Sequence, residues 1–236
     1  MAIAKQVQER LLPQRLPTIP TLDCAGICVQ ARSVDGDYYD LLEDGNSRVA
    51  ILVSDIAGKG IAASLLMANL QATLRSQWTS AADHPEGMLA FVNRMLSENT
   101  EPNAYATLFY AEYDTKSGRL RYANCGHLPG LLLHSGEVEK LQANNTVVGL
   151  FDRWQCTIAD TAMQNGDTLV LYTDGVTEAF ADSGEEFGEA RLLNTLHKDG
   201  DLSARRLAEA IVEQVASFGG DEQHDDITVV VARRRG

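Results

Sequence analysis

The feature that most constrains this chain is a device it uses repeatedly, a strand-like apolar run that meets an acid at its end. Val49-Ala-Ile-Leu-Val53 runs into Ser54 and Asp55, and Gly58-Lys59-Gly60 then turns the chain into a long segment of helix-forming composition. This reads as a buried strand, a tight glycine turn and the first turn of a helix. Asp55 is therefore expected at the rim of a sheet, close to helix N-terminal amides. Thr168-Leu-Val-Leu-Tyr-Thr-Asp174-Gly175 repeats the pattern. Asp35-Gly36-Asp37 leads into the strand-like Tyr38–Leu42, and Asp225-Asp226 opens the apolar run Ile227–Ala232. Four sheet edges, each carrying an acid, predict a site of converging carboxylates.

Between these points the chain alternates strand clusters with helix pairs. Ile3, Val7 and Leu11 form the stripe of a short amphipathic helix that Pro13 stops, and Pro17 and Pro20 stiffen the connection after it. Strands are expected at Ala25–Ala31, Asp37–Leu42 and Arg48–Ser54, the last two joined by a hairpin turn at Glu43–Asn46. Helices are expected at Ile61–Gln77 and from Pro85, where Leu89, Val92 and Leu96 are spaced for burial. Further strands are expected at Ala104–Tyr113, Arg119–Asn124, Leu131–His134, Val138–Leu141, Trp154–Ala159 and Thr168–Thr173. Two more helices, near 188–197 and 203–217, precede a last strand at 227–233. Many hairpins and paired helices fit antiparallel sheets covered by helices better than a parallel βαβ array. The fold class is α+β. Residues 1–20 are read as an N-terminal helix and Pro-rich linker outside the core, and 21–236 as one domain.

Composition narrows the functions. Acids outnumber bases by 33 to 20, a net charge of −13, which argues against a nucleic-acid partner. No apolar run approaches the ~20 residues that cross a bilayer, and no signal segment opens the chain, so a cytoplasmic protein without a membrane partner is expected. Cys24, Cys28, Cys125 and Cys156 form no C-x-x-C pair and are read as small buried hydrophobes. The histidines show no metal-ligand spacing.

Oxygen ligands on rigid elements suit Mg²⁺ or Mn²⁺. Two such ions about 3.5–4 Å apart can activate a shared water toward a phosphoryl group without a protein nucleophile. Three competing motifs fit less well. Asp35–Asp40 resembles the start of a calcium loop, but Asp40 stands where such a loop needs Gly. Gly58-Lys59-Gly60 lacks both the first Gly and the Ser or Thr of a phosphate loop. An aspartyl-nucleophile phosphatase opened by Asp35-x-Asp37 would want a long apolar strand before the pair, where Ala31-Arg-Ser-Val34 stands.

Taken together, Asp35-Gly-Asp-Tyr-Tyr-Asp40, Ser54-Asp-Ile-Ala-Gly-Lys-Gly60, Asn124-Cys-Gly-His-Leu-Pro129, Tyr172-Thr-Asp-Gly-Val-Thr-Glu-Ala179 and Asp225-Asp-Ile-Thr228 resemble, in order, the motifs of SpoIIE/RsbU-type phosphatases. These are the bacterial branch of the metal-dependent PPM protein serine/threonine phosphatases. The resemblance implies an αββα sandwich of two antiparallel sheets flanked by helices, with two Mn²⁺ or Mg²⁺ ions at one edge. It implies Asp37, Asp55, Asp174 and Asp225 as metal ligands, with the Ile56 carbonyl as a backbone ligand. Asp226 is implied as a support or strand cap, His127 as the residue holding its own loop, and His224 as structural. Lys59 either attracts phosphate or is solvated. Asp35 stands where the family usually has Gly; it either supplements the metal shell or points to solvent, and solvent is favoured. The implied substrate is phosphoserine or phosphothreonine on a protein, typically a STAS-type anti-sigma-factor antagonist. The segment at residues 3–20 commonly follows a sensor domain in this family and can dimerise. The competing class is a silent, phosphatase-shaped binding module, which the retention of all four acids disfavours.

Overall fold

A computed structural model describes residues 2–31, 34–79, 84–101, 103–220 and 223–236. In chain order its elements are α1 (Ala2–Leu11), β1 (Leu22–Val29), β2 (Tyr38–Glu43), β3 (Arg48–Ile56), α2 (Ile61–Trp78), α3 (Pro85–Glu98), β4 (Ala106–Asp114) and β5 (Arg119–Cys125). There follow β6 (Gly130–His134), β7 (Glu137–Leu141), β8 (Ala159–Ala162), β9 (Thr168–Tyr172), α4 (Asp174–Thr177), α5 (Gly188–Asp199), α6 (Ala204–Phe218) and β10 (Ile227–Arg234). The strands form two five-stranded antiparallel sheets, β1-β10-β9-β6-β7 and β2-β3-β4-β5-β8.

The burial of alternate side chains stacks these sheets. In β3, Val49, Ile51 and Val53 point into the core between the sheets, while Ala50 and Leu52 point to the layer under α2 and α3. In β10, Val230 and Ala232 face the other sheet, and Val229 and Val231 face α5 and α6. A strand covered on both faces needs apolar residues at every position, which is why these runs do not alternate with polar ones. The layers are thus helices, sheet, sheet, helices: the expected αββα sandwich.

Three local expectations need correction. Residues 154–158 are not a strand; β8 comes later and is shorter. Trp154, Cys156 and Ile158 do pack on the helix-side core, with the alternation of a strand. The side chains of Asn144 and Asn145, however, occupy the backbone of Thr157: its N–H donates to Asn145 Oδ1 at 2.7 Å, and its carbonyl accepts from Asn145 Nδ2 at 2.9 Å. Those bonds satisfy the peptide without a partner strand. β1 starts earlier than expected and ends at Val29. The segment before it is also seated on the core rather than outside it, with Leu11, Leu12 and Leu16 packed against the apolar clusters and Ile19 buried.

Candidate metal centre

Four chain segments deliver acids to one edge of the sandwich. The loop before β2 brings Asp35 and Asp37, the end of β3 brings Asp55, the first residue of α4 is Asp174, and the residues before β10 are Asp225 and Asp226. These six carboxylates, with Gly36, Ile56, Gly58 and Lys59, line a cavity of about 130 Å³. The structure therefore brings together every predicted acid.

The supports of Asp37 come from the opposite sheet. Its Oδ2 accepts from the Thr173 hydroxyl at 2.8 Å and from the Thr228 hydroxyl at 2.6 Å. The Thr228 N–H in turn donates to Thr173 Oγ1 at 3.1 Å. Both hydroxyls act on one carboxylate oxygen, so the other is not claimed by them. Asp226 is buried and accepts from the Ala31 N–H at 2.7 Å, tying the end of β1 to the start of β10. Two glycines set how closely the segments approach. A Cβ on Gly36 would lie 2.8 Å from the Ile56 carbonyl oxygen, and one on Gly175 would lie 1.9 Å from the Asp226 carbonyl oxygen. Neither approach tolerates a side chain.

Asp35 corrects the sequence expectation. It is 3% exposed rather than turned to solvent, and its Oδ2 is buried with no hydrogen-bond partner. Its backbone is clamped from α1: Gln8 Nε2 donates to the Asp35 carbonyl at 2.5 Å, and the Asp35 N–H donates to Gln8 Oε1 at 3.1 Å. Lys59 Nζ lies 2.6 Å from Asp225 Oδ2 across the cavity mouth, so it is engaged with a carboxylate there.

Crowded acids resist losing their protons. Burial, followed by Asp174 and Asp225, pushes the Asp55 carboxyl up to about 7. Burial and then the neighbouring Asp35 and Asp225 carboxylates push Asp226 up to about 6, against the Ala31 N–H. Asp37 rises well above the usual range through burial and then Asp55, and Asp174 rises through burial and then Asp225. Among the described residues, no three Asp, Glu, His or Cys side chains are already gathered tightly enough to grip an ion. The donor set nevertheless fits a hard divalent cation: it is oxygen throughout, it carries repulsion that a cation relieves, and it includes the unpartnered buried Asp35 Oδ2.

His127 belongs to the loop rather than to proton transfer. Its Nε2 is 3.1 Å from the Tyr172 carbonyl and must donate there, so Nδ1 accepts from the Thr107 hydroxyl at 2.8 Å. Its own N–H donates to Asn124 Oδ1. Burial pushes the imidazole down to about 4, which keeps it neutral. His224 is exposed at the edge of a neighbouring cavity. None of the four cysteines lines the carboxylate cavity, and burial raises all four thiols, Cys24 and Cys156 to about 12. Sequence reasoning missed Thr173, Thr228, Gln8 and the part played by Gly175. The two threonines sit inside motifs that were recognised, whereas Gln8 gives no local signal.

Comparison with known proteins fits this geometry. The family profile of stage II sporulation protein E (SpoIIE) matches residues 45–235. The chain belongs to the SpoIIE family. Phosphoserine phosphatase RsbU of Bacillus subtilis is 31% identical over 236 residues, 99% of this chain and 69% of RsbU. IcfG of Synechocystis sp. is 29% identical over 259 residues, 98% of this chain but only 40% of IcfG. Among solved structures, the SiaA-PP2C domain of Pseudomonas aeruginosa superposes with a TM-score of 0.86 at 22% identity, over 100% of this chain and 95% of that one. The PstP catalytic domain, solved in complex with 2 manganese ions, superposes at 0.68 with 17% identity, covering 92% of this chain and 99% of PstP. The fold of this SpoIIE-family chain is thus that of PP2C-type phosphatases.

Proposed function

We propose that this chain is a metal-dependent protein phosphatase that hydrolyses phosphoserine or phosphothreonine on a protein, with Mn²⁺ or Mg²⁺, two ions, as its cofactor. One observation carries the reading: six carboxylates from four segments line a single cavity, and one buried oxygen there has no partner. Asp37, Asp55, Asp174 and Asp225 would hold the cations, with the Ile56 carbonyl as a backbone ligand. When bound, the cations supply Lewis acidity, neutralising phosphoryl charge and favouring deprotonation of water.

The protein's own part is orientation. Thr173 and Thr228 fix Asp37, Ala31 fixes Asp226, and Gln8 fixes the backbone of Asp35. Lys59, at the mouth, places a positive charge where a phosphoryl group must enter. Water attacks phosphorus, the bond to the serine or threonine oxygen breaks as a proton from the water passes to that oxygen, and the hydroxyl side chain and inorganic phosphate leave; no covalent bond to the protein is needed. Asp37 is a poor nucleophile, because it is 6% exposed and bound by two hydroxyls.

The family supports a phosphoprotein substrate of the STAS type, acting in partner switching. RsbU is named a phosphoserine phosphatase, and a structural neighbour joins RsbU and RsbW domains in one chain. Ile3 and Val7, 77% and 54% exposed on α1, support a homodimer through that helix below an upstream sensor domain. Among the described residues no helix is long and apolar enough to cross a membrane. The test is hydrolysis of p-nitrophenyl phosphate with Mn²⁺, with EDTA, and by Asp174→Ala. Activity that needs Mn²⁺ and disappears in the variant is expected; activity in EDTA would refute the reading.

A further inference from the structure

Beside the carboxylate cavity lies a second, mostly apolar one of about 190 Å³ that the hydrolysis itself does not use. α6 supplies the buried Val215 as the floor, the half-buried Val212 and the exposed Ala216, and Phe180, 39% exposed, lines another side. Its rim runs into the catalytic edge: Asp225 borders both this cavity and the carboxylate cavity. Glu178 borders both this cavity and the concavity that holds Asp55, Asp174 and His127. An apolar cavity of about 150 Å³ holds a benzene-sized group, so this one has room for one large apolar side chain.

We infer that this cavity seats an apolar side chain of the phosphoprotein substrate, carried within a few residues of the phosphorylated serine or threonine. The inference rests on the phosphatase reading and adds a source of specificity to it. Three observations favour a substrate segment over other occupants. The cavity shares Asp225 with the carboxylate cavity and Glu178 with the concavity beside it, so a chain delivering a phosphoryl group to that edge can lay a neighbouring side chain in it. The rim is acidic, with Glu178 and Asp225, which disfavours the many charges of an anionic lipid surface or nucleic acid, whereas a substrate segment brings one phosphoryl group, whose charge the cations would take. The size matches a single side chain rather than a helix. A carboxylate centre recognises a phosphoryl group through its cations without distinguishing one phosphoserine from another. An adjacent apolar seat distinguishes them, because a well-fitting apolar group in such a pocket changes kcat/KM by about 10-fold or more.

The experiment uses short synthetic phosphoserine peptides in a Gly/Ser background, with one Leu walked through each flanking position. They are hydrolysed with Mn²⁺ by the wild type, by Ala216→Trp and by Ala216→Glu, with p-nitrophenyl phosphate as the small substrate. Ala216 is exposed on α6 and lies outside the catalytic machinery, so both variants keep the fold. At least one Leu position should raise kcat/KM about 10-fold or more. That gain should collapse in both variants, while p-nitrophenyl phosphate turnover stays at the wild-type value. A flat Leu walk, or a Leu preference that survives both substitutions, overturns the inference and leaves the phosphatase reading standing. Dimerisation that Ala216→Trp abolishes, with no Leu preference, assigns the cavity to a second copy and also overturns it. Failure of the wild type to hydrolyse p-nitrophenyl phosphate removes the phosphatase reading and this inference with it.

Discussion

Thr173 and Thr228 show how much of the centre depends on residues that touch no cation. Their hydroxyls converge on Asp37 Oδ2 from the other sheet, so they set both the orientation and the charge of a buried acid. Removing groups that orient a metal ligand typically costs roughly 10–100-fold in metal affinity or activity. Thr228→Val is therefore expected to weaken Mn²⁺ binding by that order, read by calorimetry; unchanged affinity would show that the hydroxyl does not orient Asp37. Gly175 is a second single-residue test. With the Asp226 carbonyl 1.9 Å from where a Cβ would sit, Gly175→Ala must push α4 away from β10. A loss of about 1–3 kcal/mol in denaturant unfolding is expected, as for other overpacked sites, together with lower turnover. Wild-type stability and activity in that variant would contradict the close approach.

At the scale of elements, α1 belongs with the catalytic edge. Gln8 is 3% exposed and satisfies both backbone groups of Asp35. Gln8→Ala leaves a buried N–H and a buried carbonyl without partners, at roughly 1–3 kcal/mol for each such group. Faster amide hydrogen exchange at residues 34–37 is expected, with weaker cation binding; protection equal to the wild type would mean that α1 does not hold this loop. The elements also show what sequence makes legible. β3 and β9 stood out because strands buried on both faces need unbroken apolar runs. The acids at their ends were legible for the same reason, since Asp55 and Asp174 mark where an apolar run stops. The segment at 154–158 misled because Trp154, Cys156 and Ile158 alternate like a strand, while the decisive Asn144 and Asn145 contacts come from another part of the chain. Gln8 and Asp35 are likewise distant in sequence, and no local pattern records their bond. α4 was missed because it is a single turn that begins on Asp174 itself.

For the whole molecule, the crowded acids couple folding to pH and to cations. An unfolded Asp has a pKa of about 3.9, whereas burial and neighbouring acids hold Asp55 at about 7 and Asp226 at about 6 in the fold. Between those values the folded protein binds more protons than the unfolded one. The cation-free protein should therefore lose stability as pH rises from about 4 to about 7 and then level off, as far as these groups are concerned. Cations replace those protons, so the Tm gain from Mn²⁺ should be larger at pH 7.5 than at pH 5.5. At a concentration of about 100 Kd it should reach roughly 5–10 °C. Equal gains at both pH values would mean that the cation binds away from these acids. The most direct test of the central claim, that these carboxylates form a cation site, is calorimetric titration of Mn²⁺ into the wild type and Asp55→Asn. The wild type should bind, and the variant should lose more than the roughly 10–100-fold expected from an orienting residue, while its cation-free Tm stays level or rises as acid repulsion is relieved. Equal Mn²⁺ affinity in the two proteins would contradict the account.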